Sequence, residues 1–176
     1  MTLTSRTFEP PKDTEPLLKE LLTVQVRFML VGGLAVQHYC PQRTTTDLDI
    51  LIQSCESNAT GVTDALVRIG FALDAEMVRM LFAPGPGPQQ ITLHPTIPAD
   101  ILTEGEGFDF MAHWAQCNRT QTLGLPVHVA SPQLLIEMKS RFMREVDAQY
   151  ILLLQRFVAG QAGRSKSAAA LRDTGA

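Results

Sequence analysis

Two aspartates, Asp47 and Asp49, stand at alternate positions at the head of an apolar run that continues as Ile50-Leu51-Ile52. A short apolar run bounded by polar loops reads as a buried strand over 47–52. Successive side chains of a strand point to opposite faces, so both carboxylates share one face, roughly 6.5 Å apart along the chain. An Asp-x-Asp triplet alone is common, and acids at a strand start are often merely solvated. Here the surroundings are apolar, and a carboxylate taken out of water is costly without a compensating cation. A second run, Phe28-Met29-Leu30-Val31, ends in Gly32-Gly33 thirteen residues (34–46) before Asp47. Adjacent glycines let an anion approach the backbone, and a helix starting directly after them turns N–H groups toward negative charge. Magnesium prefers carboxylate and phosphate oxygens and keeps positions open for substrate. Two acids beside a glycine turn therefore suggest a metal–triphosphate site.

The remaining pattern supports one small α/β domain. Leu17, Leu18, Leu21 and Leu22 predict an amphipathic helix, and residues 34–39 a second, stopped by Pro41. Val62, Leu66 and Ile69 mark a third, closed by Gly70. The proline- and glycine-rich stretch 83–88 is an exposed loop, and 90–93 and 99–102 are strands. Ser131-Pro132 is a helix start, a hydroxyl cap with proline at the first position. That helix carries Leu134, Leu135, Met138 and Phe142, and another runs from about Asp147 through Val158. Residues 1–14 read as a flexible arm, 15–158 as a single domain, and 159–176, rich in Ala, Gly and Ser, as a flexible tail.

Bulk properties narrow the function classes. The chain of 176 residues has a formal net charge of −3, against a general nucleic-acid coat held by phosphate contacts. Three cysteines without a CxxC pair suggest neither a zinc site nor a disulfide framework and fit a reducing, cytoplasmic setting. No apolar run approaches the ~20 residues of a membrane helix, and the N-terminus does not read as a signal peptide. No Walker lysine, Gly-x-Gly-x-x-Gly, His-Glu-x-x-His or Gly-x-Ser-x-Gly occurs. His38, His94, His113 and His128 are too scattered in sequence to make a metal set.

Gly32-Gly33, the spacer and Asp47-Leu48-Asp49-Ile50 together resemble the signature of minimal nucleotidyltransferases of the polymerase-beta-like superfamily. Arg43-Thr44-Thr45-Thr46 before the acids resembles the loop of bacterial AbiEii-type toxin nucleotidyltransferases, and Lys139, Arg144 and Asp147 match the spacing of a lysine–arginine–aspartate pattern in that group. Where that group often has a further acid, this chain has Tyr150. The resemblance implies a nucleotidyltransferase fold, a small mixed sheet flanked by helices with two C-terminal helices. It also implies a third carboxylate on a later strand, for which Asp100 in Ala99-Asp100-Ile101-Leu102 is the match.

The activity implied is magnesium-dependent transfer of a nucleoside monophosphate from a nucleoside triphosphate such as ATP to a hydroxyl of a protein, an RNA or a small molecule. A toxin–antitoxin pair, with an antitoxin protein as partner, is one bacterial setting. Asp47, Asp49 and Asp100 would hold two magnesium ions, and Asp100 would help deprotonate the acceptor. Gly32, Gly33, Arg43, Thr46, Lys139, Arg144 and Asp147 would surround the nucleotide, with Lys139 also among the catalytic residues. Read from the residues alone, Lys139 and Arg43 are equally at home in solvent, and Asp147 can cap a helix or orient Lys139. The competing reading is a nucleotide- or partner-binding module of the same fold without catalysis.

Overall fold

The computed structural model describes residues 8–42, 45–83, 85–142 and 145–173. Two of the candidate residues, Arg43 and Arg144, lie outside them. The chain divides into two compact units, one ending at Ser131 and one beginning at Pro132.

In the first unit the two apolar runs pair with each other. β1 (Phe28–Val31) is buried at every residue, and β2 (Leu48–Ile52) at every residue but Asp49. They are antiparallel, with Val31 opposite Asp49. On the other side of β2 lies β4 (Ala99–Thr103), parallel to it, and β3 (Gln89–Thr92) closes that edge antiparallel to β4. β6 (Leu125–Val129) runs parallel to β1, and β5 (Asn118–Thr122) forms the far edge. The six-stranded mixed sheet thus has the order β3-β4-β2-β1-β6-β5.

The alternation on β4 separates two faces. Ala99, Ile101 and Thr103 are buried, whereas Asp100 and Leu102 are half-buried. Asp49 and Asp100 are direct register partners, so they occupy the same, more open face. The core collects on the other face around Leu30, Leu48, Ile50, Ile101 and Val129, all nearly inaccessible.

The helices of this unit are α1 (Glu15–Thr23), α2 (Gly32–Tyr39), α3 (Glu56–Arg68), α4 (Ala75–Phe82) and α5 (Phe110–Trp114). α1 buries Leu17, Leu18 and Leu21, the stripe its spacing predicts. α2 starts at the glycines themselves rather than after them. α4 and α5 start at aspartate caps: Asp74 accepts from Met77 N–H at 2.8 Å and Asp109 from Ala112 N–H at 2.9 Å. The N-terminal arm is held at Phe8, which is buried and whose carbonyl accepts from Thr122 Oγ1 at 2.8 Å. The exposed proline–glycine loop reaches Gly105 so closely that a Cβ there would stand 2.4 Å from the Pro86 carbonyl oxygen.

The second unit consists of α6 (Pro132–Phe142) and α7 (Glu145–Asp173). α6 begins at the predicted proline. α7 continues through the segment whose composition suggested a loose tail, because its alanines are strong helix formers and outweigh Gly160 and Gly163. Among the described residues, no helix is long and apolar enough to cross a membrane.

Candidate active site

The carboxylate cluster is a product of strand pairing. Neighbouring strands lie about 4.8 Å apart, so the β2–β4 register brings Asp49 beside Asp100 more closely than the spacing along one strand does for Asp47 and Asp49. Asp47 lies one residue before β2. The Leu48 N–H bonds to the Pro98 carbonyl at 3.0 Å, which sets Asp47 against the loop joining β3 to β4. From that loop His94 meets it, Nε2 standing 3.4 Å from Asp47 Oδ1.

Asp49 is met by the start of α2. Gly33 N–H points at its Oδ2 from 3.4 Å, within the first turn of α2, whose free N–H groups and dipole favour a negative charge. Gly32 has φ +62°, and a Cβ on it would lie 1.8 Å from Asp49 Oδ2. Backbone conformation and space both demand glycine there. The glycine pair, expected to cradle phosphate, is in this structure turned toward the acid.

Asp100 is incompletely matched. Its Oδ2 accepts from Gln90 Nε2 at 2.8 Å, while Oδ1 is buried without a hydrogen-bond partner. An unmet buried acceptor costs about 1–3 kcal/mol, and more on a charged group. A second carboxylate beside it adds like-charge repulsion. A cation on this face would relieve both. Magnesium is ordinarily held by one or two carboxylates, with water and phosphate completing the shell, and the Asp49–Asp100 pair fits that demand. Among the described residues, no group of three or more His, Cys, Asp or Glu side chains stands ready to hold an ion. The three acids thus share one end of the β2–β4 region without forming a closed cage.

The other candidates belong to other elements. Thr46 is exposed in the loop before β2. Lys139 and Asp147 belong to the second unit, where they form an ion pair at 3.0 Å with side chains 12% and 2% exposed. Of the two roles open to Asp147, contact with Lys139 is the one observed. Tyr150, at the position of the missing acid, places its ring 5.2 Å from Lys139 Nζ, a cation–π contact.

Gln90 and His94 reach the acids although neither belongs to an acidic or glycine motif. Pairing the two predicted strands as an antiparallel hairpin, with Thr92 opposite Asp100, sets Gln90 diagonal to that acid and His94 just beyond the strand end. A cavity of about 210 Å³ opens beyond the opposite ends of β2 and β4, lined by Ile52, Gln53, Glu104, Phe108 and Phe110. None of the three candidate acids lines it.

No family model matches the chain, and no curated protein matches it in sequence. Among solved structures it is similar to the lincosamide antibiotic adenylyltransferase LnuA in its lincomycin-bound crystal form. The TM-score is 0.57 at 15% identity, over 85% of this chain and 98% of that one. An antigenic nucleotidyltransferase-like protein from Paracoccidioides brasiliensis aligns over 92% of this chain and 93% of its own, with a TM-score of 0.41 at 15% identity. The mixed α/β architecture, with its six-stranded sheet and the likeness to the adenylyltransferase, is the nucleotidyltransferase fold.

Proposed function

We propose that the protein transfers a nucleoside monophosphate from a nucleoside triphosphate to a hydroxyl acceptor at the Asp47–Asp49–Asp100 face. The observation that carries this reading is the juxtaposition of Asp49 and Asp100 on adjacent parallel strands, with Asp100 Oδ1 buried and unpartnered. Magnesium, when bound, would neutralise triphosphate charge and stabilise the attacking and leaving oxygens. Asp49 and Asp100 would hold the ions on their common face, and Asp47 would contribute from the residue before β2. The α2 N-terminus fixes Asp49, and the Gln90 amide holds Asp100 through Oδ2. Asp100 accepts the proton of the acceptor hydroxyl as its oxygen bonds to the α-phosphorus and pyrophosphate leaves. Arg43, Thr46, Lys139 and Arg144 are the groups proposed to offset nucleotide charge, with Asp147 holding Lys139 in place.

A small-molecule acceptor is favoured by the fold likeness that spans nearly the whole of an antibiotic adenylyltransferase. The toxin setting implied by the AbiEii-type resemblance would instead make the acceptor a protein or RNA. One assay separates these. The protein is incubated with each nucleoside triphosphate labelled at the α-phosphate, magnesium, and either a panel of hydroxyl-bearing antibiotics or a bacterial lysate. Label in a small-molecule product supports the first acceptor class, and label in a protein or RNA band the second. Label in neither, from folded protein, moves the assignment to a binding module.

A further inference from the structure

We infer that the cavity beyond the far ends of β2 and β4 is a binding position for a small organic cation, an aromatic or apolar group carrying a protonated amine. The site stands apart from the proposed transfer and uses none of its three acids.

The walls of the cavity are set by backbone. After β2, Gln53 N–H bonds to the Arg27 carbonyl at 3.2 Å, and the Gln53 carbonyl accepts from the buried Asn58 Nδ2 at 3.1 Å. After β4, Gly105 lies against Pro86 and Gly87, where a Cβ would come within 2.4 Å of one carbonyl oxygen and 2.6 Å of one amide nitrogen. Phe108 N–H then bonds to the Gly105 carbonyl at 3.4 Å and Phe110 N–H to the Phe108 carbonyl at 3.1 Å, with Asp109 capping α5. Ile52, Glu104 and Phe110, all nearly buried, are among the residues these bonds bring together.

The lining chemistry selects the charge. Phe108 and Phe110 supply aromatic surface, and stacking holds both rings: His113 on Phe108 at 4.8 Å between centroids, Trp114 on Phe110 at 5.7 Å. Ring faces attract cations through the quadrupole, more strongly where water is excluded. Glu104 and Asp109 add two carboxylates, of which Glu104 is 7% exposed. A carboxylate in the lower dielectric of a protein acts on a bound charge more strongly than it does in water. Arg27 Nη1 donates to Gln53 Oε1 at 3.2 Å, and no lysine, arginine or histidine stands among the described lining residues. An anion would meet two like charges, and a neutral molecule would use the rings alone. The volume of about 210 Å³ is that of roughly seven waters at about 30 Å³ each. It suits one ring and a short chain, since pockets for drug-sized ligands begin near ~300 Å³.

Trp114, the single tryptophan of the chain, stacks on Phe110 and so reports on the cavity. The test is titration of the full chain with phenethylamine, 2-phenylethanol and 3-phenylpropionate, three probes of similar shape and different charge, followed by Trp114 fluorescence and calorimetry without nucleotide. The expected result is saturable binding of the ammonium, about tenfold weaker binding of the alcohol or less, and none of the carboxylate. Glu104→Gln should bring the ammonium down to the level of the alcohol. Asp109→Asn, which keeps a capping side chain on α5, is the second variant if Glu104→Gln fails to fold by circular dichroism, and it should narrow the same gap. Equal binding of ammonium and alcohol by the wild type, no saturable binding of the ammonium, or a preference untouched by both variants would overturn the inference. Asp49→Asn/Asp100→Asn should keep ammonium binding, and its loss there would place the probe on the acid face and overturn the inference as well. A protein inactive in transfer that still binds the ammonium would sink the proposed function and leave this site standing.

Discussion

Asp147 is a buried carboxylate and Asp100 a half-buried one, and their surroundings have been completed differently. Asp147 is 2% exposed and meets Lys139 at 3.0 Å, with the Tyr150 ring over the same ammonium. Asp100 has an amide donor on one oxygen, nothing on the other, and a second acid as its register partner. The Asp147 charge is matched within the second unit. Charge on the β2–β4 face is left for something from outside. A buried group with all its partners contributes to folding, whereas one with an unmet oxygen is retained at a cost that binding can repay.

Cutting the matched pair should have the largest effect. Lys139→Met leaves Asp147 without its lysine and is expected to cost about 3–5 kcal/mol in denaturant unfolding. Asp100→Asn should do the opposite. Transfer should fall by about 10²–10³-fold, in line with loss of one preorganised electrostatic group, while stability holds or rises as like-charge repulsion is removed. Equal destabilisation by the two variants would erase the contrast between the regions.

Gly32→Ala tests the wall of the open site. The left-handed φ costs about 1–2 kcal/mol for a residue with a Cβ, and the methyl group would displace the Asp49 carboxylate. Unfolding and nucleotide affinity should both suffer, and unchanged affinity would detach Asp49 from nucleotide binding. Gln90→Ala should be milder, a loss of about tenfold in kcat or less, consistent with one hydrogen bond of about 1 kcal/mol. A structural role alone would leave the pH profile of kcat unmoved, whereas a residue that holds Asp100 should shift it.

The smallest effect concerns neither region and sets the pH window for the others. Burial lowers the pKa of His38, opposed by its hydrogen bond to Asn118, and burial together with Arg119 lowers that of His128. The unfolded chain then binds protons that the folded chain refuses. Stability contributed by these imidazoles is complete above their ordinary value near 6.5 and is lost as pH falls below it. His38→Gln should flatten that slope in denaturant titrations at several pH values, and an unchanged slope would remove His38 from it.

The central strands were legible because their signal is local: Phe28–Val31 and the residues after Asp47 are unbroken apolar runs, and the glycines mark the turn between strand and helix. Ser131-Pro132 likewise announced α6. Asp47, by contrast, falls just outside β2, where the ladder begins at Leu48. β5 reads Asn-Arg-Thr-Gln-Thr, an exposed edge strand with one buried residue, and so leaves no hydrophobic trace. α4 buries only Leu81. The anchoring of Phe8 depends on Thr122, a neighbour that composition does not name. The site follows the same division. Asp49 was visible in its own strand and Asp100 through a family resemblance, but their pairing, and the arrival of Gln90 and His94, are set by register between strands. Register is a tertiary property that short polar-apolar strings specify weakly.

The most direct test is calorimetric titration with a non-hydrolysable nucleoside triphosphate, with and without magnesium, on wild type and on Asp49→Asn/Asp100→Asn. The account predicts magnesium-dependent binding by the wild type and its loss in a variant that remains folded. Equal binding by both proteins, or no binding by folded wild type with any nucleotide, would contradict it.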